Sequence, residues 1–309
     1  MQFRALILDS FRESLDRKIF WVMLLICLAV TAAMACVGFE PGKVSILFGT
    51  WVQPTDIFTV GGVLQVDLIA SVVVEWIMDT VLGWIGVLLA IVATAGFFPA
   101  MMERGAIEVP LSKPIPRWKL FLGKYLGSLS FLLIHATIFV FLTFLVVGLR
   151  WGAWLPGYLL AIPLVVLLFS FLYCVSVLVA VVSRSAIAAV LVTLGAWVGF
   201  TGVQSVDDAF ISFPEWQEYR VAYQSIHVAR WIIPKTQDIT YIARQWSRAA
   251  NPTALMPQLD ADAREVISRG EKAEAARLAI SPVLTLGSSL LFEAAVVLLA
   301  MWKFSRTDF

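Results

Sequence analysis

Six stretches of this 309-residue sequence run for most of their length without a charged side chain: roughly 19–38, 80–102, 125–149, 157–182, 186–206 and 279–302. About 20 apolar residues, rising about 1.5 Å each as a helix, cross a hydrocarbon layer of about 30 Å. Inside lipid a segment must satisfy every backbone N–H and C=O itself, and a lone apolar run does so only as a helix. A soluble core is no alternative. The chain is 60% hydrophobic and 15% charged, against about 25% charged in soluble domains, so the surplus apolar surface must face lipid. The pattern predicts an all-α membrane protein with six transmembrane helices.

Orientation follows from where Lys and Arg gather in short connections. Arg4, Arg12, Arg17 and Lys18 precede the first run, and Arg104, Lys113, Arg117, Lys119 and Lys124 crowd the connection between the second and third. Arg184 tips the three-residue reversal Ser183–Arg184–Ser185, and Lys303 and Arg306 follow the sixth run. The first–second loop offers Lys43 among Glu40, Asp56, Asp67, Glu75 and Asp79, and the third–fourth loop only Arg150. If the helices alternate, every basic connection falls on one side, which predicts an inner (plasma) membrane protein with both termini cytoplasmic. Residues 1–18 carry Phe3, Leu6, Ile7, Phe11 and Leu15 on one helical face and charges on the other, as an amphipathic elbow helix lying in the interface. The organisation expected is this elbow at 1–18, five spans over 19–206, an extracytoplasmic helical loop at 207–278, and a sixth span with its tail at 279–309. Within the loop, EWQEYRVAYQSIHVARWIIP and TQDITYIARQWSRAA read as short helices on the membrane surface or dipping into it. DADAREVISRGEKAEAARLAIS reads as a soluble helix.

The connection FPAMMERGAIEVPLSKPIPRWK is not an ordinary loop. Lys113 and Ile115 each precede a proline, which biases them toward extended backbone. A short helix, Met101 to Leu111, is then followed by a stiff exit, and displacing such a helix tilts two spans at once. ERGAIEVPLSKPIPRWKLFLGKYLG resembles the E-x-G-[TA]-[IL]-E-x-[LP]-L-S-x-P-[IV]-[SP]-R signature of type-2 ABC-transporter permeases, of the compact six-span kind. Glu103, Gly105, Ile107, Glu108, Leu111, Ser112, Pro114 and Arg117 match; Ala106 replaces the commoner Thr, and Pro110 the usual Leu. The resemblance implies that this segment, Arg104 included, is a cytoplasmic coupling helix docking on a separate ABC ATPase. It further implies a homodimer or heterodimer of permeases and an export direction. ATP and Mg would be bound by the partner ATPase, with no cofactor in this chain.

The residues themselves agree that ATP is not hydrolysed here, since no G-x-x-x-x-G-K-[ST] occurs. A net charge of +1 argues against a nucleic-acid partner. Cys27, Cys36 and Cys174 have no C-x-x-C spacing and read as small hydrophobes rather than metal ligands. Glu293 in the sixth span and His135 in the third are ionisable at membrane depth, where each needs a partner. A His135–Glu293 pair would serve a gradient-driven secondary transporter, the main competing reading, although no inverted repeat supports it. An intramembrane enzyme lacks the paired acids or histidine cluster it would need. Gly195 and Gly199 form a small-xxx-small pair that suits close approach across a dimer seam or packing within one subunit. Asp207 with Asp208, and Glu215 with Glu218, read either as cation ligands or as a solvated loop.

Overall fold

The computed structural model describes residues 15, 18–40, 43–54, 59–60, 63–64, 66–103, 116–247, 272, 275–277 and 279–307. Among the described residues six helices are long and apolar enough to cross a membrane: Lys18–Ala35, Ile69–Met101, Arg117–Trp151, Pro156–Ser183, Ala186–Ser212 and Pro282–Ser305. They alternate in direction. Spans one, three and five therefore end at the pole where two, four and six begin, here called distal; the other pole, nearest both termini, is proximal. Residues 1–14, 16 and 17 of the expected elbow lie outside the described residues, as does most of the expected helix at 260–281.

The first span is α1 (Lys18–Ala35). The second begins earlier than its apolar run. α2 (Val66–Trp76) leads through a π-helical stretch, Ile77–Gly86, into α3 (Val87–Thr94) and the short α4 (Phe97–Met101). Asp67, Glu75 and Asp79, expected in the first–second loop, are thus helical. For Asp79 the reason is an ion pair with Arg244, which satisfies a charge that would otherwise end the helix. The π stretch depends on small residues. A Cβ on Gly83 would stand 3.0 Å from the Met78 carbonyl oxygen, and one on Gly86 would stand 3.1 Å from that of Val81.

The loop ahead of α2 holds a structure that the apolar count does not reveal. β1 (Val37–Glu40), β2 (Lys43–Ile46) and β3 (Trp51–Pro54) form an antiparallel sheet, in register Val37–Ile46 and Lys43–Pro54. β4 (Thr59–Val60) and β5 (Val63–Leu64) pair separately. The sheet docks on the distal end of α5 (Arg117–Trp151), where Trp151 Nε1 donates to the Val37 carbonyl at 2.9 Å and stacks edge-on against Phe39.

α6 (Ala161–Ser183) is the hub. Of the apolar window of the fourth span 67% is buried, against 17% in the first, fifth and sixth, so those three present most of their surface outward. The turn to α7 (Ala186–Ser212) is the tight reversal expected: Arg184 takes the left-handed conformation at φ 53°, and the Ser185 hydroxyl caps α7 by accepting from Ala188 N–H. Beyond α7, α8 (Arg220–Ile232) and α9 (Thr236–Ser247) make a helical hairpin before α10 (Pro282–Ser305). α9 does not lie on the bundle. Its Ile239, Ile242 and Ala243 are buried in the common core, wedged against the second and fourth spans, while α8 keeps Val221, Val228 and Ile232 exposed.

Candidate functional site

Three polar constructions stand out against so apolar a background, one at each pole and one at membrane depth. At the proximal pole, the segment expected to contact an ATPase is flanked by its described ends, Glu103 and Arg117. Arg104, Gly105, Ile107, Glu108, Leu111, Ser112 and Pro114 lie outside the described residues. The flanks converge on one aromatic block. Phe98 of the second span meets Phe121 of the third at 5.1 Å between ring centroids, and Phe121 meets Phe304 of the sixth at 5.8 Å; all three are buried. Pro116 supplies the extended residue from which α5 starts (φ −64°, ψ 140°). Arg117 Nη1 then donates to the carbonyls of Ser305 and Thr307, both at 2.9 Å. Guanidinium suits this task because two carbonyl acceptors at the frayed end of α10 need donors that its own backbone no longer supplies.

At membrane depth Glu293 has partners, and His135 is not among them. Tyr125 Oη of the third span donates to Glu293 Oε1 at 2.7 Å, and Ser170 Oγ of the fourth donates to Oε2 at 3.0 Å. His135 instead lies between Phe20 and Phe131, its ring nitrogens 2.8 Å from the Phe131 carbonyl and 3.1 Å from that of Phe20. The His135–Glu293 pair of the competing reading is therefore not formed, and each group makes its own interhelical tie. Each acidic or imidazole group found the nearest hydroxyl or carbonyl, and the paired geometry a gradient-driven transporter would use is not formed. Hydrogen bonds between membrane helices are worth about 0.6 kcal/mol on average and up to about 1.7 kcal/mol. Glu293→Gln, which can keep both ties, should leave the melting temperature of the purified protein nearly unchanged. Glu293→Leu, which strands two hydroxyls, should destabilise by about 1–2 kcal/mol in the same measurement.

At the distal pole, Asp207 and Asp208 are neither solvated nor arranged as cation ligands. Arg230 of α8, 1% exposed, donates through Nη1 to both (3.3 Å each) and through Nη2 to Asp238 of α9. Arg277 donates through Nε to Asp208 at 2.6 Å and through Nη2 to Asp207. Two guanidiniums thus bind three carboxylates from the fifth span and α9, with the Tyr241 hydroxyl donating to Asp208 at 3.1 Å. Burial pushes the Asp238 carboxyl above its ordinary range, against the pull of Arg230, and raises Tyr241 as well. Among the described residues no cluster of His, Cys, Asp or Glu could hold a metal. Glu215 and Glu218 are exposed, as a solvated loop would have them.

The hairpin is also fastened by amides and hydroxyls. The buried Gln204 side chain donates to the carbonyls of Phe200 and Pro234 and to the Thr236 hydroxyl, and accepts from Gln237 N–H at 2.9 Å. Lys235 reaches the sixth span twice, its N–H donating to Ser289 Oγ and its ammonium to Ser288 Oγ at 2.6 Å. Burial pushes that ammonium down to about 8. Such long-range partners left no local signal beyond an arginine and a lysine standing in the apolar string ARWIIPK.

A Cβ at Gly195, Gly199 or Gly202 would meet no described atom within 4 Å. They lie on an outward flank with Leu191 and Val198. The three cysteines are free, and Cys174 is buried. The comparison with protein families is specific: the model described as "ABC-2 family transporter protein" matches residues 4–309. No curated protein matches the sequence.

Proposed function

Because the chain belongs to the ABC-2 family of transporter proteins, multi-pass membrane components of ABC transporters, we propose that it is the permease of an ATP-driven exporter whose power stroke enters through residues 101–117. The observation that carries this reading is the Phe98–Phe121–Phe304 block. A push on the segment between Glu103 and Arg117 meets, at both ends, side chains that pack the second, third and sixth spans together. Arg117 adds the C-terminal tail through two hydrogen bonds. Interiors packed this closely respond to displacement by moving whole helices rather than by yielding locally.

ATP and Mg are held by the partner ATPase in this scheme, since the chain has no phosphate-binding loop. Docking by Glu103, Arg104, Gly105, Ile107, Glu108, Leu111, Ser112 and Pro114 requires this segment, and with it both termini, to face the cytoplasm from the inner (plasma) membrane. Two permeases side by side, identical or not, would cover the outward flank of Gly195 and Gly199. A cysteine at Lys113 and, separately, one at the exposed Glu215 tests the arrangement in a background without native cysteines. An impermeant maleimide should label Glu215→Cys in intact cells and Lys113→Cys only after permeabilisation. Labelling of Lys113→Cys from outside would put the segment beyond any ATPase and end the proposal.

A further inference from the structure

A cavity of about 160 Å³ opens at the distal pole, bounded by the second, fourth and fifth spans and α9. Its volume is below the roughly 300–1,000 Å³ of sites for drug-sized ligands, so it fits one small ring and not a chain of them. One wall comes from the π-helical stretch, which turns Asp79, Gly83 and Trp84 toward it. Trp84, half-exposed, stacks on the buried Trp197 at 4.6 Å and 18° between planes, forming a flat apolar flank. The polar part of the lining is Thr201, Gln237, Thr240 and the Asp79–Arg244 ion pair, which joins the π-helical stretch to α9.

Two of the neutral polar groups, Thr201 and Gln237, end in buried atoms with no hydrogen-bond partner among the described residues. Threonines in the spans return their hydroxyls to the carbonyl four residues back, as Thr31, Thr94, Thr137 and Thr143 do. Thr201 does not, and its buried Oγ1 has no hydrogen-bond partner among the described residues. Thr193 on the same helix shares that state but lies outside the cavity lining. The amide of Gln237 is oriented by donation from Nε2 to Ser205 Oγ at 3.0 Å, which leaves the buried Oε1 as an acceptor without a donor. Leaving such atoms unmatched costs about 1–3 kcal/mol each. Ligand hydroxyls can match them, one donating to Gln237 Oε1 and one exchanging a hydrogen bond with Thr201 Oγ1.

Charge narrows the class. The cavity's acid and base neutralise one another, so a net charge on the ligand would find no counter-ion. The geometry points to a binding site for one neutral, hydroxyl-bearing ring, such as a single sugar or cyclitol, stacked by an apolar face on Trp84 and hydrogen-bonded by its rim to Thr201 and Gln237. This site does not depend on which partner drives the transporter.

The test is thermal unfolding and isothermal titration of the full chain in nanodiscs, avoiding sugar-headed detergents that would compete. Methyl β-glucopyranoside and myo-inositol are the probes, with glucose 6-phosphate and glucosamine as charged counterparts. The neutral probes should raise Tm along a saturating curve, unlike the steady rise an excluded osmolyte produces. Thr201→Val and Gln237→Met should each weaken neutral-probe binding about tenfold, the worth of one hydrogen bond. Thr201→Val should keep or raise the ligand-free Tm, because it removes an unmatched hydroxyl, and this separates lost binding from lost folding. Absence of saturation with every neutral probe, equal or stronger binding of the charged ones, or unaltered affinity in a Thr201→Val protein that keeps its Tm would each overturn the assignment.

Discussion

Replacing Arg230 with methionine is expected to remove about 3–5 kcal/mol from the folded state, the usual result of deleting one partner of a buried ionic network. The side chain is 1% exposed and serves Asp207, Asp208 and Asp238 together, so its loss leaves three carboxylates facing Arg277. Two further outcomes identify the cause as charge rather than volume. Adding Asp238→Asn to the methionine variant should recover part of the loss, because one uncompensated anion is gone. The deficit should also shrink as pH falls. Burial raises the Asp238 carboxyl even in the intact protein, and removing the Arg230 charge that opposes burial raises it further above the ordinary carboxylate value near 3.9. The folded variant then binds more protons than the unfolded chain, so its stability falls as pH rises through that window. Thermal unfolding of the two variants and the parent at pH 5 and pH 8 reads all three effects.

Phe121→Ala is expected to cost about 3–5 kcal/mol as a large-to-small change in a packed interior. Its neighbours Phe98, Tyr125 and Phe304 come from three spans that cannot all collapse onto one vacancy. Under the proposed function Phe121→Leu is the more informative substitution, because it keeps much of the volume but loses the ring contacts that join the second span to the sixth. The purified Phe121→Leu complex should melt within a few degrees of the parent yet show several-fold weaker stimulation of ATP hydrolysis by the permease. Undiminished stimulation would mean that force reaches the spans by another route.

The spans were legible because each carries its own evidence: an apolar run of sufficient length needs no partner to be recognised. The Ser183–Ser185 reversal was equally local, as were α8 and α9. Interactions between distant parts of the chain were not legible. Asp79 looked like a loop residue until Arg244, far along the sequence, supplied its counter-charge. Asp207 and Asp208 looked solvated for the same reason, their partners standing at 230 and 277. Glu293 was read correctly as needing a partner at depth, but nothing in the sequence said which, and the fold offered Tyr125 and Ser170. The sheet over Val37–Pro54 escaped because its strands are four residues each and its support comes from Trp151. The segment 101–117, proposed to couple to an ATPase, shows the opposite imbalance, with a clear motif and, among the described residues, only its two flanks.

Gln204 fastens the distal hairpin to the fifth span and Lys235 fastens it to α10, so contacts between residues far apart in sequence hold these three elements together. The sixth helix keeps its register through bonds to residues far upstream, much as two separate subunits would.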